Sequence, residues 1–197
     1  MAAPVRIVGL GGTLRAGSGT ERLVAQVLDR AAALGAQVEQ ITGPMLALPL
    51  YAYGDPPGEA AEHMIEALRR ADGIVLASPG YHGSISGLVK NALDHVEAMS
   101  RDPAPYFDGR AVLCLATGGG SQGANAALTT LRSITHALRG WPTPLGLAVN
   151  TAGPLFDEAG ALVDPALAAQ LDLAAAQLVG FARQTRASAG DAMTCDF

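Results

Sequence analysis

The chain is predicted to form a doubly wound α/β domain, a five-stranded parallel sheet of order 2-1-3-4-5 with helices on both faces. Apolar strand candidates alternate with helical patterns five times. Runs such as Ile74-Val75-Leu76-Ala77 and Ala111-Val112-Leu113-Cys114-Leu115 are apolar without interruption, as expected of strands covered by helices on both faces. A glycine-rich loop directly follows the first strand candidate, the usual place for a ligand loop in such folds. With 49% hydrophobic and 16% charged residues, the 197 residues suit one well-buried domain over 1–187 and a small, polar, frayed end over 188–197.

The strand candidates lie at 5–10, 36–41, 73–78, 110–116 and 144–149. Helical patterns occupy 18–34, 59–71, 86–99, 123–139 and 165–186. Right-handed crossovers and this βα count favour the stated order, which places ligands beyond the strand C-termini. Three loops leave those ends together, at 11–20, 78–86 and 117–124, each with glycine or proline and hydroxyl groups. A fourth, 48–58, is long and punctuated by Pro49, Pro56 and Pro57.

The first loop, Gly9-Leu10-Gly11-Gly12-Thr13-Leu14-Arg15-Ala16-Gly17-Ser18-Gly19-Thr20, can form a phosphate cradle. Glycines let backbone N–H groups converge on an anion, Thr13, Ser18 and Thr20 add hydroxyl donors, and Arg15 adds charge. A helix starting near Ser18 aims its dipole at the same point. The spacing does not fit Gly-x-Gly-x-x-Gly, and Gly12 to Gly17 has P-loop spacing but is followed by Ser18-Gly19 rather than Lys-Ser/Thr, so a monophosphate is favoured over a dinucleotide or triphosphate. An ordinary strand-to-helix turn capped by Ser18 explains the same residues equally well.

A net charge of −5 with Lys90 as the only lysine argues against nucleic acid or an anionic membrane as partner. The N-terminus lacks a basic region and apolar core, and no apolar run approaches the roughly 18 residues of a membrane span, so a cytoplasmic protein is expected. Cys114 sits in an apolar run and reads as core; Cys195, one place short of a prenylation position, reads as incidental. His63, His95 and His136 lack metal-ligand spacing and read as helix residues.

The segment Ser78-Pro79-Gly80-Tyr81-His82-Gly83-Ser84-Ile85-Ser86-Gly87-Leu88-Val89-Lys90-Asn91-Ala92-Leu93-Asp94, taken with the first loop, resembles the NADPH-dependent FMN reductase family of flavodoxin-like proteins. The family pattern runs roughly Gly-Ser-x-Arg-x-x-Ser-x-Asn in the first loop and Pro-Glu-Tyr-Asn-Gly-Ser-x-x-Gly-x-Leu-Lys-Asn-x-x-Asp in the second. The resemblance implies that Thr13, Arg15, Ser18 and Thr20, with Gly19 between them, grip the phosphate of FMN. Thr13 replaces the family serine and Thr20 the asparagine. It further implies that Pro79, Tyr81, His82, Gly83 and Ser84 wall the isoalloxazine, with backbone contact at Gly80, which stands in place of glutamate; His82 stands in place of asparagine. Thr117, Gly118, Gly119 and Gly120 match the third flavin loop, whose amides are expected to meet charge developing on the reduced ring.

What the resemblance implies about activity is hydride transfer from NADPH or NADH to FMN, with reduced flavin released to a partner monooxygenase or electrons passed to a quinone-like acceptor. The flavin carries that chemistry, so no protein acid or base is required and no catalytic residue or metal is assigned. His82 is expected to pack or hydrogen-bond rather than donate a proton. An FMN-bound quinone, azo or nitro reductase shares the architecture; an electron carrier without NAD(P)H activity, and a nucleotide-binding module without redox chemistry, are the readings outside that class. In the family, the helix carrying Lys90, Asn91 and Asp94 packs between subunits, which implies a homodimer or homotetramer. An intrahelical Lys90–Asp94 pair is the local alternative.

Overall fold

Residues 3–192 are described by the computed structural model. The elements run β1 (Arg6–Gly11), α1 (Gly19–Ala33), β2 (Gln37–Thr42), α2 (Glu59–Arg70), β3 (Gly73–Tyr81), β4 (Ser84–Ile85), α3 (Gly87–Asp94), β5 (Ala111–Gly118), α4 (Ser121–Ala137), β6 (Trp141–Pro142), β7 (Leu147–Asn150) and α5 (Pro165–Ala192). Short 3-10 turns follow β2 at Gly43–Leu46 and α3 at His95–Met99, so the helix expected over 86–99 tightens in its second half. The parallel order is β2-β1-β3-β5, with β6 and β7 both on the far edge of β5. This is the expected 2-1-3-4-5 frame, and the sheet is flavodoxin-like.

Seven strands stand where five were expected, for two local reasons. The fifth strand is broken into β6 and β7 by Pro142, Pro144 and Gly146, because proline brings no N–H to a ladder. Between the pieces, the Thr143 N–H still reaches the Val112 carbonyl at 3.0 Å, whereas the Leu145 N–H is diverted to Gln177 Oε1 at 3.0 Å. The third strand runs on past Ser78 and doubles back as β4, antiparallel to its end.

Alternation along the buried strands divides the core into two layers. Val8, Leu10, Ile74, Leu76, Val112 and Cys114 face α2, α3 and α4, whereas Ile7, Val75, Ala77, Leu113 and Leu115 face α1 and α5. Both faces being covered is why those runs carry no polar residue. Helix α5 is long and apolar enough over 165–188 to cross a membrane by length and composition, contrary to the expectation that no segment comes close. Its Leu167, Leu171, Ala174, Ala175, Leu178 and Ala182 form a stripe at helical spacing packed on the sheet, the pattern of a core helix. It continues to Ala192; the remainder of the end expected to fray, Cys195 included, lies outside the described residues.

Cys114 is fully buried on β5, with Sγ 3.4 Å from Thr135 Oγ1. Burial pushes its thiol up from 9.0 to about 11, against a smaller downward pull from Thr135. A raised folded value means the associated stability is complete below pH 9.0 and is lost as pH rises towards about 11. In a Cys195→Ala background, a thiol reagent at pH 8 is therefore expected to label Cys114 no faster than the chain unfolds. Rapid labelling of the folded chain would contradict the burial.

Candidate functional site

The three glycine-bearing loops meet at the C-terminal edge of β1, β3 and β5. Between the first loop and the part of β3 that leads into the second, the Gly12 N–H donates to the Ala77 carbonyl at 3.3 Å. Between the first and third, the buried hydroxyls of Thr20 and Thr117 lie 2.7 Å apart. Between the second and third, Gly80 lies against the start of α4, where a Cβ would come within 2.6 Å of the Gly123 carbonyl oxygen. The first loop is thus held to β3 and to the third loop, and the second loop to the third.

In the first loop, Ser18 caps α1, its hydroxyl accepting the Glu21 N–H at 3.3 Å. The Thr13 hydroxyl accepts the Arg15 N–H at 3.2 Å and holds the loop's turn. Arg15 is exposed, Gly19 half-buried beside Leu155, and Thr20 turned inward onto Thr117. The N-cap reading and the cradle reading are thus compatible, because a capped α1 still points its first turn at the loop. A residue that the sequence reading passed over is Glu21. Its carboxylate accepts the Gly17 N–H at 2.8 Å and the Thr42 hydroxyl at 3.2 Å.

The second loop is a β-hairpin. Gly80 pairs with Ile85 and Tyr81 with Ser84, leaving His82 and Gly83 as a two-residue turn with φ of +50° and +84°. Two positive φ values make the turn that matches strand twist, for which Asn-Gly is the strongest sequence signal. His82 therefore sits in a left-handed conformation that histidine and asparagine tolerate better than most residues. Its ring is exposed, as are Tyr81, Gly83 and Ser84, whereas Pro79 is buried. The base of the hairpin is closed by Ser78, whose hydroxyl accepts the Ser86 N–H at 2.9 Å, while Ser86 caps α3.

The third loop leaves β5 at Thr117 and Gly118. A Cβ on Gly118 would meet the Ala124 nitrogen at 2.8 Å, whereas Gly119 and Gly120 have no heavy atom within 4 Å of that position. Helix α4 begins with no side-chain cap, leaving its first-turn N–H groups uncapped. A phosphate-bearing planar ligand fits this edge: hydroxyls, Arg15 and the α1 terminus suit the phosphate, and open backbone at Gly17, Gly83, Gly119 and Gly120 leaves room for close approach. A cavity of about 560 Å³ lined by Arg6, Gln37 and Arg70 lies at the opposite, N-terminal end of β1 and β2 and shares none of these residues.

The 48–51 segment is tied to Asn91 on α3 and to His95 just past its end, two residues that the sequence reading assigned to an interface helix and to an ordinary helix position. Asn91 accepts the Tyr51 N–H at 2.9 Å and donates to the Pro49 carbonyl at 3.0 Å, and His95 Nε2 also meets that carbonyl at 3.0 Å. Asn91 and His95 are one turn apart, and neither Leu48 nor Pro49 finds a strand partner for its carbonyl, which is the signal that could have found them. Lys90 pairs with Asp94 at 2.6 Å, as the intrahelical reading expects.

The sequence profile described as NADPH-dependent FMN reductase matches residues 5–153 of this chain, a stretch that contains all three loops. The chain belongs to the NADPH-dependent FMN reductase family. It is 29% identical to an NAD(P)H-dependent FMN reductase of Pseudomonas aeruginosa over 167 residues, covering 83% of this chain and 88% of that one. Over 95 residues, about half of each chain, it is 34% identical to an FMN-dependent NADPH-azoreductase of Staphylococcus aureus. Among solved structures, an apo NADH:FMN oxidoreductase superposes with a TM-score of 0.68 at 26% identity, covering 89% of this chain and 88% of that one. The Paracoccus denitrificans flavoenzyme FerB, an NAD(P)H:(acceptor) oxidoreductase, shares the fold with a TM-score of 0.72 at 21% identity, over 92% and 98% of the two chains.

Both departures from the family pattern in the second loop have a local cause. Gly80 replaces the family glutamate where α4 leaves no space for a side chain, and His82 replaces asparagine at the left-handed turn position. Restoring the glutamate, Gly80→Glu, is expected to destabilise the fold by about 2 kcal/mol or more, read from the urea midpoint. Restoring the asparagine, His82→Asn, is expected to stabilise it by roughly 0.5 kcal/mol, since asparagine adopts the positive φ more readily. A loss of stability in the second variant would show that the His82 ring makes a contact worth more than the turn conformation.

Proposed function

We propose that this chain is an NAD(P)H-dependent flavin reductase, using NADPH or NADH as donor and FMN as acceptor. The observation that carries this reading is the convergence of three loops with the family's pattern at one sheet edge, tied by the Gly12–Ala77, Thr20–Thr117 and Gly80–Gly123 contacts. FMN, when bound, supplies the hydride-accepting chemistry. The work left to the protein is to bind and orient. Thr13, Arg15, Ser18, Gly19 and Thr20 are assigned to the phosphate; Pro79, Gly80, Tyr81, His82, Gly83 and Ser84 to one wall of the ring; and Thr117, Gly118, Gly119 and Gly120 to backbone contact with it.

The exposed Tyr81 face and the uncapped start of α4 support a site open to a second planar ring, which requires stacking within reach of the first. No acid or base is assigned, because proton transfer is not the difficult part of a hydride exchange. The unit that carries this activity is assigned to residues 1–187 of a cytoplasmic homodimer or homotetramer, with α3 and its Lys90–Asp94 pair at the subunit contact and a flavin-dependent monooxygenase as consumer of the product. The 34% identity to an azoreductase favours a second reading, in which FMN stays bound and electrons pass to an azo or quinone acceptor.

Flavin-stripped protein is expected to oxidise NADPH or NADH under air only when FMN is added, with the absorbance at 340 nm reporting the rate. Oxidation at the protein-free background although FMN binds would leave an electron carrier as the reading, and absence of FMN binding would remove the cradle itself.

A further inference from the structure

Ser18-Gly19-Thr20-Glu21 has the spacing of a capping box, in which the glutamate side chain returns to the N–H of the capping residue. The bond is made one residue further out. The Ser18 N–H goes to the Arg15 carbonyl at 3.2 Å, and Glu21 Oε2 takes the Gly17 N–H at 2.8 Å instead. Its other oxygen accepts from the Thr42 hydroxyl at 3.2 Å, and Gln40 Nε2 lies 3.1 Å from that hydroxyl oxygen. A carboxylate thus occupies one of the loop amides that an anion would otherwise use, and it is fixed there by β2.

On the reading of this loop as a phosphate cradle, we infer that Glu21 sets its affinity: the carboxylate opposes the phosphate of FMN, so the flavin exchanges with solution rather than staying as a fixed prosthetic group. The loop brings one side-chain cation, Arg15, and Glu21 adds a charge of opposite sign at the same helix terminus, while Arg22, the next residue, is stacked on the Phe156 ring at 3.7 Å. A dianionic phosphate at this terminus therefore meets hydroxyls and backbone dipoles together with a carboxylate whose charge opposes it. Riboflavin, which has the same ring and no phosphate, does not feel this term, so the two flavins separate the effect of Glu21 from changes in the ring site.

The test is to titrate FMN and riboflavin into the wild-type chain, Glu21→Gln and Glu21→Asp, following quenching of flavin fluorescence, at low and high salt. Gln keeps an acceptor for the Gly17 N–H and removes the charge; Asp keeps the charge and shortens the reach. Glu21→Gln is expected to bind FMN about tenfold more tightly and riboflavin within about twofold of wild type, the FMN gain shrinking with salt. Glu21→Asp is expected to leave FMN within about threefold of wild type, since the charge is retained. Weaker or unchanged FMN binding by Glu21→Gln, or an equal gain for both flavins, overturns the inference and leaves the cradle reading standing. If no form binds FMN, the cradle reading falls and takes this inference with it.

Discussion

The site depends on how closely β1 approaches β3 at the end of the sheet. Gly11 closes β1 with φ of +136°, and a Cβ there would lie 1.8 Å from the Ala77 carbonyl oxygen. No other residue permits both the conformation and the distance. Because the strands close up there, the Gly12 N–H can donate to Ala77, and the loop that follows is held over the sheet edge rather than thrown clear of it. The same economy recurs at Gly118 and Gly80, where β5 and the hairpin meet α4. Close packing fixes the bases of the loops, while Gly17, Gly83, Gly119 and Gly120 stay open at their tips. A rigid base under an accessible backbone is what recognition by main-chain N–H groups requires, since such groups act only from a fixed position.

How much of this was legible in the residues follows from the kind of physics involved. The strand order and the two-layer core were legible because uninterrupted apolar runs between amphipathic helices leave few arrangements. The capping of α1 by Ser18 was legible because it is local. The split of the fifth strand was missed, though Pro142 and Pro144 announce it, because the apolar run at 144–149 outweighed the missing donors. The hairpin at 82–83 was missed for a related reason: the turn signal is Asn-Gly, and this chain writes it His-Gly. Glu21 carried a local signal in its capping-box spacing to Ser18, whereas its tie to Thr42 and the partners of Asn91 and His95 lie 21, 40 and 46 residues away, and no periodicity encodes such pairs.

Thr20 and Thr117 show how a residue proposed to bind a ligand can also serve the fold. Their hydroxyls are buried and 2.7 Å apart, so the contact satisfies two polar groups that would otherwise cost about 1–3 kcal/mol each when desolvated. A hydroxyl carries both a donor and acceptor lone pairs, so Thr20 can give one direction to Thr117 and keep the other. The asparagine that the family favours at that position is longer and brings two donors. The shorter threonine keeps the first loop and the third in register while offering less to a ligand.

The departures from the family pattern point in one direction. Gly80 stands where that pattern has a carboxylate and Thr20 where it has an amide, and Glu21, just past the pattern, engages the Gly17 N–H. The first two changes take side-chain groups away, and the third takes up a main-chain donor, so all three leave fewer groups to grip a ligand. Backbone donors at a helix start attract an anion with a fraction of a unit charge, roughly 0.3–1 kcal/mol at an exposed terminus, which is less than a side-chain cation can give. A site built this way gains geometric definition more than affinity. On the proposed reading, in which the flavin exchanges with solution, definition of the ring during hydride exchange is the property that matters, and a loosely held phosphate leaves the product free to go.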